Sequence, residues 1–165
     1  MRDPFPEARD RAPLRVVCVG NAFRGDDAAG LEVAKLLHGT LPASAEVLER
    51  EGEPSALIDA WEGAEALWLV DAVSSGAAGG AVHRLEAGAQ EVPAGVFRAS
   101  THHLGLADAI ELARALGRLP GRTVVYGIEG ARFEAGEGLT PEVAAALPRV
   151  AGAVRAEVAE QANGR

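Results

Sequence analysis

Asp26 and Asp27 stand together in a glycine-punctuated loop that follows a short apolar run, residues 14–19. Asp71 closes a second apolar run, residues 66–70, and His102 and His103 fall at the opening of a helical segment. Carboxylate and imidazole groups are ligands for a divalent transition metal, with open positions left for water or a substrate donor. The same carboxylates are candidate general bases for a hydrolytic water. Each group also has a plainer role: Asp26 or Asp27 can cap a helix and offset its dipole, and a histidine in a first turn can be a surface residue.

Other chemistries are excluded by what surrounds these residues. Gly20 and Gly25 have the outer spacing of a phosphate loop, but Asp26-Asp27 stand where Lys-Ser/Thr would follow, and two carboxylates repel a polyphosphate. The chain has no Gly-x-Gly-x-x-Gly, no Gly-x-Ser-x-Gly elbow and no His-Glu-x-x-His helix. A dinucleotide enzyme, a serine hydrolase of the elbow type and an ordinary zinc protease are all disfavoured.

The elements that must position these groups follow from periodicity. Leu14, Val16, Val17, Cys18 and Val19 are apolar and rich in β-branched residues, and residues 66–70 are a second apolar run, as strands covered on both faces of a parallel sheet are. Residues 123–128 form a third such run, and 45–49 a weaker one. A helix after the acid pair carries Leu31, Val33, Ala34 and Leu37 on one broad side. Pro54 suits a first helical position, with Leu57, Ile58 and Trp61 turned inward behind it. Residues 74–80 are small and read as a mobile loop. Residues 81–85 alternate apolar and polar, which suits an edge strand with His83 as a solvated histidine.

Residues 87–97 read as a connection, and Ser100 or Thr101 can cap the next helix, whose buried side is Leu106, Ile110, Ala113 and Leu116. Residues 131–138 form a loop with Glu134 and Glu137. Thr140-Pro141-Glu142 starts a last helix lined by Val143, Leu147, Val150, Val154 and Val158, which Pro148 is expected to kink or divide.

The order β-α-β-α-β-β-α-β-α predicts a three-layer αβα sandwich. Its sheet has about five strands, mostly parallel, with residues 81–85 as the antiparallel edge. Residues 14–160 form one α/β domain, with 1–13 a flexible lead-in and 161–165 a frayed end. Loops beyond the carboxyl ends of the strands carry Asp27, Asp71 and His102 to one side of the sheet, where ligands bind in such folds.

The formal net charge of −8 disfavours nucleic acid and anionic membranes as partners. No apolar run is long enough to cross a bilayer, and the N-terminus has no apolar signal-peptide centre. The single cysteine, Cys18, allows no intrachain disulfide and reads as a small core residue, so a cytoplasmic location is expected.

Four blocks, in order, carry a resemblance that spans residues 14–154. They are Val19-Gly20-Asn21 through Gly25-Asp26-Asp27 with Gly30, Leu69-Val70-Asp71-Ala72, Ser100-Thr101-His102 with Leu106-Ala107, and Tyr126-Gly127-Ile128-Glu129. In these the chain resembles the hydrogenase maturation endopeptidases, which process the large subunit of nickel–iron hydrogenases. The resemblance implies an α/β protease domain that removes a C-terminal peptide from the large-subunit precursor after nickel insertion. It implies that Asp27, Asp71 and His102 contact the precursor's nickel, with Asp27 and Asp71 as the catalytic acids of an aspartyl-type protease. No organic cofactor is implied.

His102 rather than His103 occupies the matching place, and Asp26 supports the loop or caps the helix. Ala28 replaces a glycine common after the acid pair, and residues 51–55 replace a turn common after the second strand. The competing reading is a nickel-binding docking or chaperone protein without peptidase activity. A related α/β domain acting on another peptide is a third. Whether attack uses metal-polarised or carboxylate-activated water stays open at this level.

Overall fold

The computed structural model describes residues 12–92 and 105–165. Its strands are β1 (Leu14–Val19), β2 (Ala45–Arg50), β3 (Ala66–Val73), β4 (Val82–Glu86) and β5 (Arg122–Glu129). Its helices are α1 (Ala29–Leu37), α2 (Pro54–Trp61), α3 (Leu106–Ala115) and α4 (Pro141–Asn163), and a 3₁₀ turn, Gly25–Ala28, precedes α1. The strands lie in the order β2-β1-β3-β5-β4. All pairs are parallel except β4 with β5. The predicted three-layer sandwich with one antiparallel edge is the fold observed.

Alternation along the strands splits the core in two. Leu14, Val16, Cys18, Trp68, Val70, Val124 and Tyr126 meet α1 and α4 on one face. Val17, Val19, Leu67, Leu69, Val73 and Val125 meet α2 and α3 on the other. Every residue of β3 is buried, as a central parallel strand requires. Cys18 is a buried free cysteine, its thiol pushed up to about 12 by burial and then by Glu49.

The chain leaves β1 for β2 on one side and returns to β3 on the other, so the order of strands reverses between β1 and β3. In open α/β sheets the ligand crevice forms at such a switch point, outside the carboxyl ends of the strands.

Several expectations are corrected. β3 does not close at Asp71 but continues to Val73, because Asp71, Ala72 and Val73 keep pairing with Gly127, Ile128 and Glu129 of β5. Pro148 does not divide α4, which runs unbroken from Pro141 to Asn163. Pro148 and Ala144 both lie on its exposed side, so water can meet the carbonyl that loses its partner. The C-terminus is not frayed: the Arg165 guanidinium donates to the Ala12 carbonyl at 2.9 Å and pairs with Glu65.

Leu116 is exposed, one residue past the end of α3 and off its buried face. The N-cap positions of the 3₁₀ turn and α1 are Arg24 and Ala28, so neither Asp26 nor Asp27 holds a cap position. α3 starts at Leu106 with Asp108 accepting from the Gly105 amide at 3.0 Å. The expected cap, Ser100 or Thr101, lies outside the described residues.

Candidate active site

The loop after β1 is held by backbone bonds that leave no room for side chains. The Asn21 amide donates to the Asp27 carbonyl at 3.2 Å, and the Asn21 side chain accepts from the Phe23 amide at 2.9 Å. A Cβ at Gly20 would fall 2.4 Å from the Asp27 carbonyl oxygen. Gly25 has φ +55°, a conformation that favours glycine, and its amide donates to Gly136. The result is a tight turn that delivers two acids in opposite senses.

Asp26 is fully buried and faces the 131–140 segment. Its carboxylate accepts from the amides of Ala131 (2.8 Å), Arg132 (2.9 Å) and Thr140 (2.7 Å), and from the Thr140 hydroxyl. Burial pushes its pKa up, but the Thr140, Ala131 and Arg132 donors outweigh this and hold the carboxyl below its usual range. Asp26 is therefore a bracket between two loops, the supporting role expected of it.

Asp27 and Asp71 are each only 4% exposed. β1 pairs with β3 only as far as Cys18 with Val70, so Asp71 is the first residue of β3 beyond that pairing, where the turn carrying Asp27 arrives. Burial pushes the Asp71 pKa well up, and the charge of Asp27 pushes it further, against one opposing bond from the Ala72 amide. The two carboxylates are thus electrostatic neighbours at the switch point. Side-by-side buried acids share a proton or take up a cation, since two bare charges there repel.

Gly30 lets α1 sit this close: a Cβ would lie 2.2 Å from the Val19 carbonyl oxygen and 2.7 Å from that of Val70.

The structure brings together two of the three predicted site residues. His102, and His103 beside it, lie outside the described residues. Among the described residues, no group of three His, Cys, Asp or Glu side chains is arranged to hold a metal ion.

His83 is not the solvated histidine expected from the strand pattern. Its Nε2 lies 3.1 Å from the carboxylate of Glu129, which is 2% exposed. That carboxylate also accepts from the Ser75 amide and hydroxyl, both at 2.8 Å, and from the Gly76 amide at 3.1 Å. Within the 74–80 segment, expected to be mobile, Ser75 and Gly76 are tied to this one acid, and the Gly80 amide donates to the Glu129 carbonyl. Burial pushes the Glu129 pKa up, but the Ser75, His83 and Gly76 donors hold it below the usual range. The sequence signal was an acid ending an otherwise apolar buried strand.

A groove of about 320 Å³ runs beside the turn, lined by Gly20, Asn21, Phe23, Leu31, Glu49 and Glu51 among others. Phe23 is 68% exposed at its edge.

A pair of buried acids at the switch point of a doubly wound sheet marks a small three-layer α/β protein whose strand ends are the place for a ligand. Residues 31–157 match the family model HycI, hydrogenase maturation protease. The hydrogenase 2 maturation protease of Escherichia coli K12 is 32% identical over 151 residues, covering 86% of this chain and 90% of its own. The hydrogenase expression/formation protein HupD of Rhodobacter capsulatus is 31% identical over 146 residues, 85% of this chain and 69% of its own.

The solved hydrogenase maturating endopeptidase HybD from E. coli superposes with a TM-score of 0.76 at 27% identity, over 90% of this chain and 93% of its own. The chain belongs to the hydrogenase maturation protease family, and it is a peptidase. Among the described residues no helix is long and apolar enough to cross a membrane.

Proposed function

We propose that this protein is the endopeptidase that removes the C-terminal peptide of a nickel–iron hydrogenase large-subunit precursor once nickel has been inserted. The precursor's nickel docks on Asp27, Asp71 and His102, and so reports that the precursor is ready. The observation that carries this reading is the pair of buried, mutually repelling carboxylates at the switch point. A divalent cation on the substrate relieves that repulsion, so a metal-loaded precursor binds and an empty one does not. Family membership supports the hydrolytic outcome.

In the reaction a water attacks the scissile carbonyl and gives a proton to a site carboxylate. The C–N bond then breaks, and the new amine takes up a proton. Asp27 and Asp71 are the acids placed to move those protons. The groove bordered by Phe23 supports binding of an extended stretch of the precursor. The site of action proposed is the cytoplasm.

The test is mass spectrometry of the nickel-loaded precursor before and after incubation. Loss of one defined C-terminal peptide, dependent on nickel and abolished by Asp71→Asn, is the expected result. Asp71→Asn removes a repulsive charge, so its Tm should not fall below that of the wild type. A precursor bound but uncut would mean a docking protein, and full activity of Asp71→Asn would remove that residue from the site.

A further inference from the structure

Strand register puts His83 in the same row of the sheet as Asp71. Asp71 pairs with Gly127 on β5, and Gly127 pairs with His83 on β4. Paired residues point to the same face, and the neighbouring rows agree: Leu69, Val125 and Leu85 all pack in the core beneath α2 and α3. The row therefore reads Asp71, a residue without a side chain, His83. Two strand spacings separate its ends, about 10 Å, the reach of roughly three residues of extended peptide. Asp71 and Gly127 are buried, whereas the His83 side chain is 29% exposed, so the row meets solvent at His83.

The imidazole does not hang free there. Its Nε2 faces the Glu129 carboxylate, which already accepts from Ser75 and Gly76 and has no hydrogen to give when ionised. Nε2 must then be the donor. In the neutral ring the other nitrogen, Nδ1, is left as an acceptor. Among the described residues Nδ1 has no hydrogen-bond partner. A buried carboxylate that fixes the tautomer and direction of a half-open histidine is a device for presenting that second nitrogen.

We propose that His83, set by Glu129, is a substrate-positioning residue that accepts a main-chain N–H of the precursor peptide about three residues from the group held at Asp71. This rests on the processing function proposed above. Glu129 contributes by aiming the ring, and by pinning residues 74–80 where the peptide enters.

The experiment compares wild type, His83→Gln and His83→Ala in processing of the nickel-loaded precursor, with kcat and KM measured separately and Tm recorded. Glutamine can still donate to Glu129 through its amide nitrogen, but its acceptor, Oε1, sits on the same carbon as that donor and not across a ring where Nδ1 stands. The expected result is a KM raised at least tenfold in both variants, kcat within about twofold, and the Tm of His83→Gln close to wild type. Wild-type KM in His83→Gln, with only His83→Ala impaired, would show that His83 merely satisfies Glu129 and would overturn the proposal. Loss of kcat at unchanged KM would overturn it too. If the wild type cuts no precursor, it is the processing function that fails, an outcome distinct from either.

Discussion

At Asp26 one carboxylate satisfies three backbone amides and a hydroxyl that the 131–140 segment turns inward. Removing it leaves buried donors without acceptors, each costing about 1–3 kcal/mol, though relaxation and water recover part of the sum. Asp26→Ala should therefore lose about 3 kcal/mol of stability, read from the shift in urea midpoint. Asp27, one residue on, faces Asp71 instead, so Asp27→Asn should abolish processing with little change in midpoint. These two neighbours would exchange phenotypes if the turn were misassigned. A urea series on both variants distinguishes them.

At the scale of elements, α1 meets the sheet through Gly30, whose α-carbon rides directly over the carbonyls of Val19 and Val70. Alanine is the better helix former by up to about 1 kcal/mol, an advantage that is smaller near a helix start. Against this, backbone oxygens at 2.2 and 2.7 Å cannot move without shifting β1 and β3. Such overpacking costs about 1–3 kcal/mol, so the clash wins. Gly30→Ala should destabilise by about 2 kcal/mol in the same assay and lower processing, because α1 and the turn before it move together. The loop also carries Phe23, open to solvent beside the groove. Phe23→Ser should leave the urea midpoint unchanged and raise KM for the precursor severalfold.

Across the whole molecule, Glu129 is the point where β3, β4, β5 and the 74–80 loop are fastened. Its amide and carbonyl bond to Ala81 and Gly80, and the next amide, Gly130, donates to Val73. Its carboxyl is held below the usual range in the folded state, so the unfolded chain takes up the extra proton as pH falls. The stabilisation is complete above the ordinary glutamate pKa of about 4.3 and is lost as pH drops through the lower folded value. Calorimetric Tm between about pH 6 and pH 3 should fall less steeply in Glu129→Gln than in the wild type, with Glu129→Gln the less stable at pH 6. Parallel slopes would mean that folding leaves the Glu129 carboxyl at its ordinary pKa, and a steeper fall in Glu129→Gln would mean that burial keeps it neutral.

Much of this architecture is written in local pattern. The buried runs of β1, β3 and β5, the amphipathic faces of α1 and α4, and the proline starts of α2 and α4 each follow from periodicity and turn chemistry over a few residues. The acid pair and Asp71 were legible as chemistry for the same reason, since carboxylates are conspicuous beside apolar runs. What local pattern does not carry is partnership. That Asp71 lies inside β3 depends on β5 continuing alongside it, and that Asp26 braces a loop depends on donors more than a hundred residues away.

His83 read as solvated because alternation reports which side of a strand a residue occupies, not what stands on that side. Only the packing of β4 against β5 sets it beside a buried glutamate. The sequence determined the elements and the chemical groups they carry, because both are properties of short stretches of chain. The tertiary structure decided which groups meet, because contacts between distant residues are fixed by strand order and register.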